Sequence, residues 1–394
     1  MHDSGRILRG SAGIIEAVIS RKAVLDEEME NVDPRYRRSI GHLVLTFFRR
    51  RKAIDALLAE RIEKAPRPAV LALLQAVLTQ IFFQRAIAAE SAVNIAVSEA
   101  KKFKADKFVN AVLRRILAVP NNFEESPEKV LPAPILKRWA QQKNEEQLTA
   151  AFLKGADFTF RLEKEWELEE LQAEPVASPA FRFFKGAGAE VLKSAPFLKK
   201  HIYVQDPATS LVFQDLDLSG ASRALDLCAA PGGKTLMLAE LMPPGARITA
   251  ADRSRNRQRL TRQNLEARGV KAEVIVALPE ELAGSYDVVL ADVPCSNTGV
   301  FRRRPDALWN FSEEKFRELI RIQRHILECA LQRTAPGGLL IYSTCSIEFE
   351  ENAGQVAAFL EKHPELTLVS QRQLIPDLDM DGAFAAVMKK KSVC

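Results

Sequence analysis

Hydrophobic residues in the first third of the chain recur every three or four positions. Over 70–82 they follow the i, i+3, i+4, i+7 spacing of a helix with one buried stripe. A second such stripe covers 108–117, and Asp106 stands where an N-cap residue of that helix would be. The pattern predicts an all-α domain over residues 1–130.

The helical pattern stops at a cluster of prolines, which predicts a linker near 120–134. The stretch 131–202 then mixes signals. Its apolar spacing predicts a helix at 139–153 and a short strand at 158–162, and its later prolines and glycines indicate loops. We interpret 131–202 as a linker and a small α+β subdomain.

From about residue 203 short apolar runs alternate with helical segments. The predicted strands are 224–227, 248–251, 274–277, 288–291 and 339–343. Strands separated by helices imply βαβ units and a parallel, doubly wound sheet, so the predicted fold class of 203–394 is α/β. Ligands of such sheets bind at the carboxyl ends of the strands.

Composition limits the classes of protein to which the chain can belong. With 394 residues it exceeds one ordinary domain, and its 47% hydrophobic and 27% charged residues exclude a disordered or fibrous chain. No apolar run approaches the roughly 18 residues that span a bilayer, and the N-terminus lacks the regions of a signal peptide. Five cysteines without a CxxC pair predict a cytoplasmic protein with reduced thiols and no metal.

Charge is unevenly distributed along the chain. The first 120 residues hold 21 lysines and arginines against 13 acids, whereas the remainder is slightly acidic. A basic front part favours contact with a polyanion such as nucleic acid. A helical domain with solvated, arginine-rich faces would explain the charge equally well.

The segment after the first α/β strand has the residue types of a ligand-binding turn. Gly232 and Gly233 lie between strand and helix, where the helix N-terminus favours a carboxylate or phosphate. A dinucleotide, a nucleoside triphosphate and S-adenosylmethionine are the candidates. G-x-G-x-x-G is absent, and the first glycine of a P-loop would fall on Cys228, so both phosphate motifs are disfavoured. A plain glycine turn is the simpler alternative.

Other strand ends carry acids and thiols. Asp252 follows the second strand, where an acid can bind ribose hydroxyls, although it could equally be the N-cap of the next helix. Asp292 and Cys295 follow the fourth strand, and Cys345 follows the fifth. A single cysteine there would ordinarily be a small buried hydrophobe, but two at neighbouring strand ends, one beside a carboxylate, favour chemistry.

These segments occur together in a known order. The chain reads YVQDPAT at 203–209, DLCAAPGGKT at 226–235, DVPCSNTG at 292–299 and STCS at 343–346. In order and spacing they resemble the Fmu/Sun-type ribosomal RNA cytosine-C5 methyltransferases, the small-subunit methyltransferase B family. The front part, with FVNAVLRR at 108–115, resembles the NusB-type RNA-binding domain that precedes the catalytic domain in that family. The resemblance implies a Rossmann-like class I methyltransferase sheet of seven strands with one antiparallel edge strand.

The resemblance also implies roles for the thiols. Cys345 would be the nucleophile that adds to carbon 6 of cytosine, and Cys295 would assist loss of the carbon-5 proton and release of Cys345. Asp292 would bind the base edge, and Lys234 could belong to the same site. In DNA-modifying relatives the cysteine after proline is the nucleophile, so the reverse assignment stays open.

S-adenosylmethionine is the cofactor that the resemblance implies, and RNA, expected to be small-subunit ribosomal RNA, is the partner of a monomeric enzyme. The expected cofactor-binding residues are Cys228, Ala229, Ala230, Pro231, Gly232, Gly233, Lys234, Asp252, Ala277 and Asp292.

The chain departs from the family pattern at several positions. The acid expected after strand three is missing, so Ala277 could offer only its backbone, and Glu280 or Glu281 could substitute. Asn297 replaces a common glycine, which asparagine can do because it tolerates left-handed backbone. Glu163 stands where the family has asparagine in Arg-Val-Asn. We expect arginines 302–304 to grip phosphates near the target base.

The sequence leaves two alternative functions open. The same chemistry could act on transfer RNA. A non-catalytic RNA-binding or assembly factor could instead retain the fold without binding the cofactor, and the missing acid after strand three favours that reading slightly.

Overall fold

The computed structural model of the chain describes residues 2–162 and 168–392. It contains two compact units. The first comprises Met1–Leu153 with Arg304–Asn310, and the second comprises Lys154–Arg303 with Phe311–Cys394. Glu163 lies outside the described residues. Between residues 2 and 392, leaving out 163–167, no helix combines the length and apolar character needed to cross a bilayer.

The first unit is built from helices. They are α1 His2–Ser20, α2 Leu25–Glu30, α3 Pro34–Ala59, α4 Pro68–Thr79, α5 Ala89–Ala100, α6 Asp106–Leu117, α7 Pro127–Val130, α8 Ala133–Gln142 and α9 Glu145–Lys154. α4 is buried almost throughout, and its Leu74 and Val77 pack in one core with Phe47 of α3 and Val112 of α6. Both predicted helical stripes are therefore confirmed as core-facing helices.

Two local predictions in this unit are wrong. Asp106 is the first helical residue of α6, the N-cap position is Ala105, and no side chain caps that helix. The single helix predicted over 139–153 is two helices, because Lys143 ends α8 with left-handed backbone at φ 58°. The apolar spacing continues across this break, so periodicity alone does not reveal it.

The second unit contains two sheets. The smaller is antiparallel, in the order β2-β3-β1-β4. Its strands are β1 Thr159–Leu162, β2 Glu174–Val176, β3 Phe183–Lys185 and β4 Ile202–Val204. Phe160, Phe184 and Ile202 form its core with Leu171 and Val191, which lie in short helices.

The larger sheet has seven strands in the order β10-β11-β9-β8-β5-β6-β7. They are β5 Arg223–Asp226, β6 Arg247–Asp252, β7 Glu273–Val276, β8 Tyr286–Asp292, β9 Thr334–Thr344, β10 Leu366–Leu374 and β11 Ala383–Lys390. The five predicted strands are present and mutually parallel. β11 is antiparallel to both neighbours, so the antiparallel strand lies one place inside the edge and its expected edge position is wrong.

Helices cover both faces of this sheet. The helices of the second unit, including the short ones beside the smaller sheet, are α10 Leu168–Leu171, α11 Gly188–Val191, α12 Ala195–Leu198, α13 Gly233–Leu241, α14 Arg255–Glu266, α16 Glu313–Arg333 and α17 Ala353–Lys362. The helix α15 Asp306–Asn310 belongs to the first unit. Successive residues of a strand pack into hydrophobic cores on opposite faces of the sheet. Leu225 and Val289 pack with α16 and α17, and Ala224 and Val288 pack with α13. This period-two alternation is that of a sheet buried on both sides, and the doubly wound prediction is confirmed.

Candidate functional site

The two cysteines at the strand ends meet. β8 and β9 pair in parallel, so the loops that follow them leave the sheet side by side. The sulfur atoms of Cys295 and Cys345 lie 3.2 Å apart. Cys295 is buried and Cys345 is partly exposed. The structure thus joins two thiols that are 50 residues apart in the sequence.

The surroundings of Cys295 favour its protonated form. The hydrogen bond with Cys345, together with burial and the negative charge that Cys345 and Glu351 can carry, raises the pKa of Cys295 well above its ordinary value. Cys295 therefore keeps its proton more firmly than a free cysteine does. Of the two thiols, only Cys345 has substantial exposure through which a substrate could reach it.

Asn297 shapes the loop that carries Cys295. Its backbone is left-handed at φ 60°, as predicted for the residue that replaces glycine. Its Oδ1 accepts a hydrogen bond of 3.0 Å from the Cys345 thiol. Two residues on, a Cβ at Gly299 would lie 2.6 Å from the carbonyl oxygen of Cys345, so only glycine fits this approach of loop to strand end.

Glu351 anchors the same loop, although no sequence motif predicts its role. Its buried carboxylate accepts hydrogen bonds from the Ser296 backbone N–H at 2.9 Å, the Ser296 hydroxyl at 2.5 Å and the Gln323 amide at 2.8 Å. Burial raises the pKa of Glu351, and these donors oppose the rise. The only sequence signal for Glu351 was an acid six residues after Cys345, which periodicity does not distinguish from a solvated one.

Asp292 and Lys234 form an ion pair beside the thiols. Lys234 Nζ lies 2.8 Å from Asp292 Oδ2, which joins the first turn of α13 to the end of β8. Burial alone would lower the pKa of Lys234, but the Asp292 carboxylate outweighs it and the net shift is upward. Lys234 is therefore a fixed cation of the site and not a solvated residue at a helix start.

The glycine turn between β5 and α13 has two distinct requirements. Gly232 has φ 101°, which favours glycine on backbone grounds. Gly233 is favoured by packing, because a Cβ there would lie 2.9 Å from the Gln205 amide and 3.0 Å from the Tyr203 ring, and both side chains would have to shift. The 203–209 motif thus packs against the turn, which leaves the backbone N–H groups at the start of α13 as a potential carboxylate-binding end.

Two buried carboxylates flank this turn and fit a polar ligand. Asp226 Oδ2 accepts from Thr235 at 2.7 Å, but among the described residues its Oδ1 has no hydrogen-bond partner. Asp252, at the end of β6, accepts from the Ser254 backbone N–H at 2.8 Å. Ser254 is the N-cap of α14, so the alternative in which Asp252 is that N-cap is wrong.

Burial raises the pKa of Asp226 to about 7 from its ordinary 3.8. The folded protein therefore holds this proton to higher pH than the unfolded chain does. Its contribution to stability is fully present below pH 3.8 and is lost as the pH rises through about 7. We expect the free energy of unfolding to fall by about 2 to 3 kcal/mol from this group between about pH 5 and pH 8.

Asp226→Asn, a neutral isostere, should remove that part of the pH dependence. Urea unfolding of both proteins at the two pH values measures the difference. Asp381 also titrates near 7 and remains in both proteins, so the comparison isolates Asp226. An identical pH dependence in the variant would contradict the buried, protonated carboxyl.

Residues 277–279, which follow β7, include no acid that could reach the glycine turn. The Ala277 N–H donates to the Asp252 carbonyl at 3.3 Å. Glu281 accepts from the Leu278 N–H at 2.7 Å, and Glu280 lies 3.2 Å from His325. Both glutamates named as substitutes for the missing acid are therefore engaged elsewhere.

The arginines after the Cys295 loop are structural. Arg302 is fully buried and donates to the carbonyls of Gly155 and Leu378. Arg303 bonds the buried carboxylates of Asp206 at 2.7 Å and Asp381 at 2.9 Å. The prediction that these two side chains bind phosphates is wrong, because they bind other residues of the second unit and hold the Cys295 loop in place. Arg304 belongs to the first unit and pairs there with Asp26.

This strand order, with a glycine turn after β5 and functional side chains at the carboxyl ends of its strands, defines a Rossmann-like class I methyltransferase fold. Comparison with known families agrees with this class. Residues 213–384 match the 16S rRNA methyltransferase RsmB/F family, and residues 11–118 match the NusB family. The second part of the chain is thus similar to the RsmB/F methyltransferases, and the first part is similar to the NusB family.

Individual relatives agree with this placement. Ribosomal RNA small subunit methyltransferase B of Vibrio cholerae is 38% identical over 207 residues, which are 50% of this chain and 48% of the relative. The chain thus spans about half the length of the curated relatives it matches.

Two solved structures share the fold. PH0851 superposes with a TM-score of 0.80 at 24% identity, over 97% of this chain and 99% of its own. A methyltransferase homolog protein from Pyrococcus horikoshii superposes with a TM-score of 0.58 at 26% identity, over 65% of this chain and 94% of its own.

Proposed function

We propose that the protein transfers a methyl group from S-adenosylmethionine to carbon 5 of a cytidine in RNA, and that this RNA is small-subunit ribosomal RNA. The observation that carries the proposal is the pair of thiols 3.2 Å apart at the carboxyl ends of adjacent parallel strands. Asp292, with its Lys234 partner, ends one of those strands. The substrate class follows the name of the Vibrio relative, and the NusB match supports RNA as the partner.

Covalent catalysis explains why the reaction needs a thiol. Carbon 5 of cytosine is a poor nucleophile. Addition of the Cys345 thiolate to carbon 6 forms an S–C6 bond and makes carbon 5 enamine-like. When bound, the cofactor supplies an electrophilic methyl group to that carbon. The carbon-5 proton then leaves to solvent with the assistance of Cys295, and its electron pair restores the C5–C6 double bond. The S–C6 bond breaks in the same step, which returns the Cys345 thiolate and releases the methylated base.

The other side chains orient the base and the thiol. Asp292 accepts a hydrogen bond from the exocyclic amine of the base, and from N3 once that nitrogen is protonated in the adduct. The Lys234 ion pair fixes the direction of the Asp292 carboxylate. Asn297 holds the Cys345 sulfur through their 3.0 Å contact. Because the target base must leave its stack to reach these groups, the substrate is single-stranded or splayed out at the target.

The cofactor-binding residues surround the glycine turn. The start of α13 binds the carboxylate of the methionine part, and Asp252, 4% exposed, binds the ribose hydroxyls. Ala277 contributes only backbone. The backbone contacts come from Cys228, Ala229, Ala230, Pro231, Gly232, Gly233 and Lys234.

The first unit holds the surrounding RNA. Arginines 35, 37 and 38 are exposed near the start of α3, and the guanidinium of Arg35 lies over the Tyr36 ring at 5.6 Å. Such a cluster suits sequence-independent phosphate contact. We also propose that the protein acts as a monomer. Cys228, Cys295, Cys329 and Cys345 are free thiols, which suits the reducing cytoplasm.

The missing acid after β7 is the one observation that favours a non-catalytic RNA-binding factor, and cofactor binding separates the two functions. In calorimetry we expect the full chain to bind S-adenosylmethionine. Asp252→Ala should weaken binding by at least about tenfold, because a buried carboxylate that accepts two ribose hydroxyls is lost. Glu266→Ala, at an exposed position on neighbouring α14, is the matched control and should bind as the wild type does. No binding at several hundred micromolar cofactor would favour the non-catalytic factor.

A further inference from the structure

Three side chains outside the thiol pair and the glycine turn converge in the second unit. Glu280 lies in a 3-10 turn after β7, and His325 and Cys329 lie on α16. The His325 Nε2 is 3.2 Å from the Glu280 Oε2 and 3.8 Å from the Cys329 Sγ. All three donor atoms lie within 4.8 Å of one another. Sequence spacing did not predict this cluster, because Glu280 precedes His325 by 45 residues.

The helix presents two of these side chains on one face. His325 and Cys329 are four residues apart, the i, i+4 spacing that lets two side chains of a helix bind one ion. The Cys329 sulfur is on the inner side, with the residue 4% exposed. The side chains of Glu280 and His325 are about half exposed, at 50% and 57%. The cluster therefore has a buried soft donor and an outer side open to water.

The three donor atoms and the distances between them match those of a zinc site. Imidazole nitrogen, thiolate sulfur and carboxylate oxygen are together the ligands of Zn²⁺. Ordinary zinc–ligand lengths in a tetrahedron place N and O about 3.4 Å apart and S and N about 3.6 Å apart. The observed 3.2 Å and 3.8 Å differ from these values by about 0.2 Å. The third separation, between the Glu280 oxygen and the Cys329 sulfur, is within 4.8 Å.

We propose that Glu280, His325 and Cys329 form a binding site for Zn²⁺, with water as the fourth ligand. Binding forms an S–Zn bond and releases the thiol proton of Cys329 to solvent, without any change of oxidation state. The ion replaces the direct Glu280–His325 contact and joins the turn after β7 to α16. The site takes no part in the proposed methyl transfer. Zinc binding here is contrary to the sequence-based expectation of a chain without metal.

The experiment titrates the full chain with zinc chloride in calorimetry, in a reductant that does not bind zinc. Cobalt(II) absorption serves as a second readout, since a cobalt–thiolate bond gives a charge-transfer band. We expect one tight equivalent per chain. His325→Ala and Glu280→Gln, both at exposed positions, should each weaken it by at least about tenfold. Cys329→Ser should also remove the cobalt band.

The adjacent thiols Cys295 and Cys345 could bind zinc themselves, so Cys345→Ala is tested in parallel and should keep the tight equivalent. Glu318→Gln, an exposed acid on the same helix, is the matched surface control and should bind normally. Three results would each overturn the proposal: no stoichiometric binding to the wild type, binding that His325→Ala leaves unchanged, or a tight equivalent that disappears in Cys345→Ala.

Discussion

Cys345→Ala is expected to lower methyl transfer to RNA by at least about 10⁴-fold, because the enzyme then has no group to add to carbon 6. The partly exposed Cys345 thiol makes polar contacts with Asn297 and with the Cys295 thiol, and the loss of two such contacts should leave the fold intact. Cofactor affinity should therefore stay close to that of the wild type. Single-turnover transfer of a labelled methyl group measures the loss, and calorimetry on the same sample checks the fold.

A second readout identifies the bond itself. RNA with 5-fluorocytidine cannot lose its carbon-5 substituent as a proton, so the wild-type enzyme should remain attached to it on a denaturing gel. Cys345→Ala should form no such adduct. Cys329→Ser is the matched control, because it removes a thiol that lies beside His325 and outside the Cys295–Cys345 pair. It should form the adduct as the wild type does. An adduct formed by Cys345→Ala would reverse the roles of the two cysteines.

Cys295→Ala is expected to accumulate a covalent protein–RNA complex on ordinary RNA in the presence of cofactor. Cys295 is buried 3.2 Å from the nucleophile, where it can act on the adduct after methyl transfer. Without it the carbon-5 proton leaves slowly, so the S–C6 bond persists and turnover falls.

A denaturing gel with labelled RNA measures this accumulation. The attached fraction should rise from a trace to most of the enzyme, and the double variant Cys295→Ala, Cys345→Ala should show none. Normal product release by Cys295→Ala, without a retained complex, would show that this thiol takes no part in resolving the adduct.

The meeting of the two thiols was predictable for a physical reason. Five apolar runs indicated parallel strands, and parallel strands bring their carboxyl ends to one edge, so residues after neighbouring strands must lie close together. The left-handed backbone of Asn297 was predictable as well, because few residues other than glycine tolerate it. Both predictions depend on rules of chain geometry that hold whatever the surrounding packing.

The rest depends on tertiary contacts that no local pattern encodes. The sequence predicted Arg302 as a phosphate ligand, but in the fold its side chain is buried and donates to two backbone carbonyls. Nothing in the sequence distinguished Glu351 from a solvated acid, but in the fold its carboxylate accepts a hydrogen bond from the Ser296 hydroxyl. The position of β11 inside the sheet is set by pairing with β9 and β10, which residue alternation within one strand does not determine.

Bisulfite sequencing of total RNA from cells with and without this protein tests the central claim most directly, because it reveals activity and target together. We predict one or more cytidines in small-subunit ribosomal RNA that resist conversion only when the wild-type protein is present, and that convert fully with Cys345→Ala. Resistance confined to transfer RNA would keep the chemistry and change the substrate. No protein-dependent position in any RNA, or equal protection by Cys345→Ala, would contradict the account.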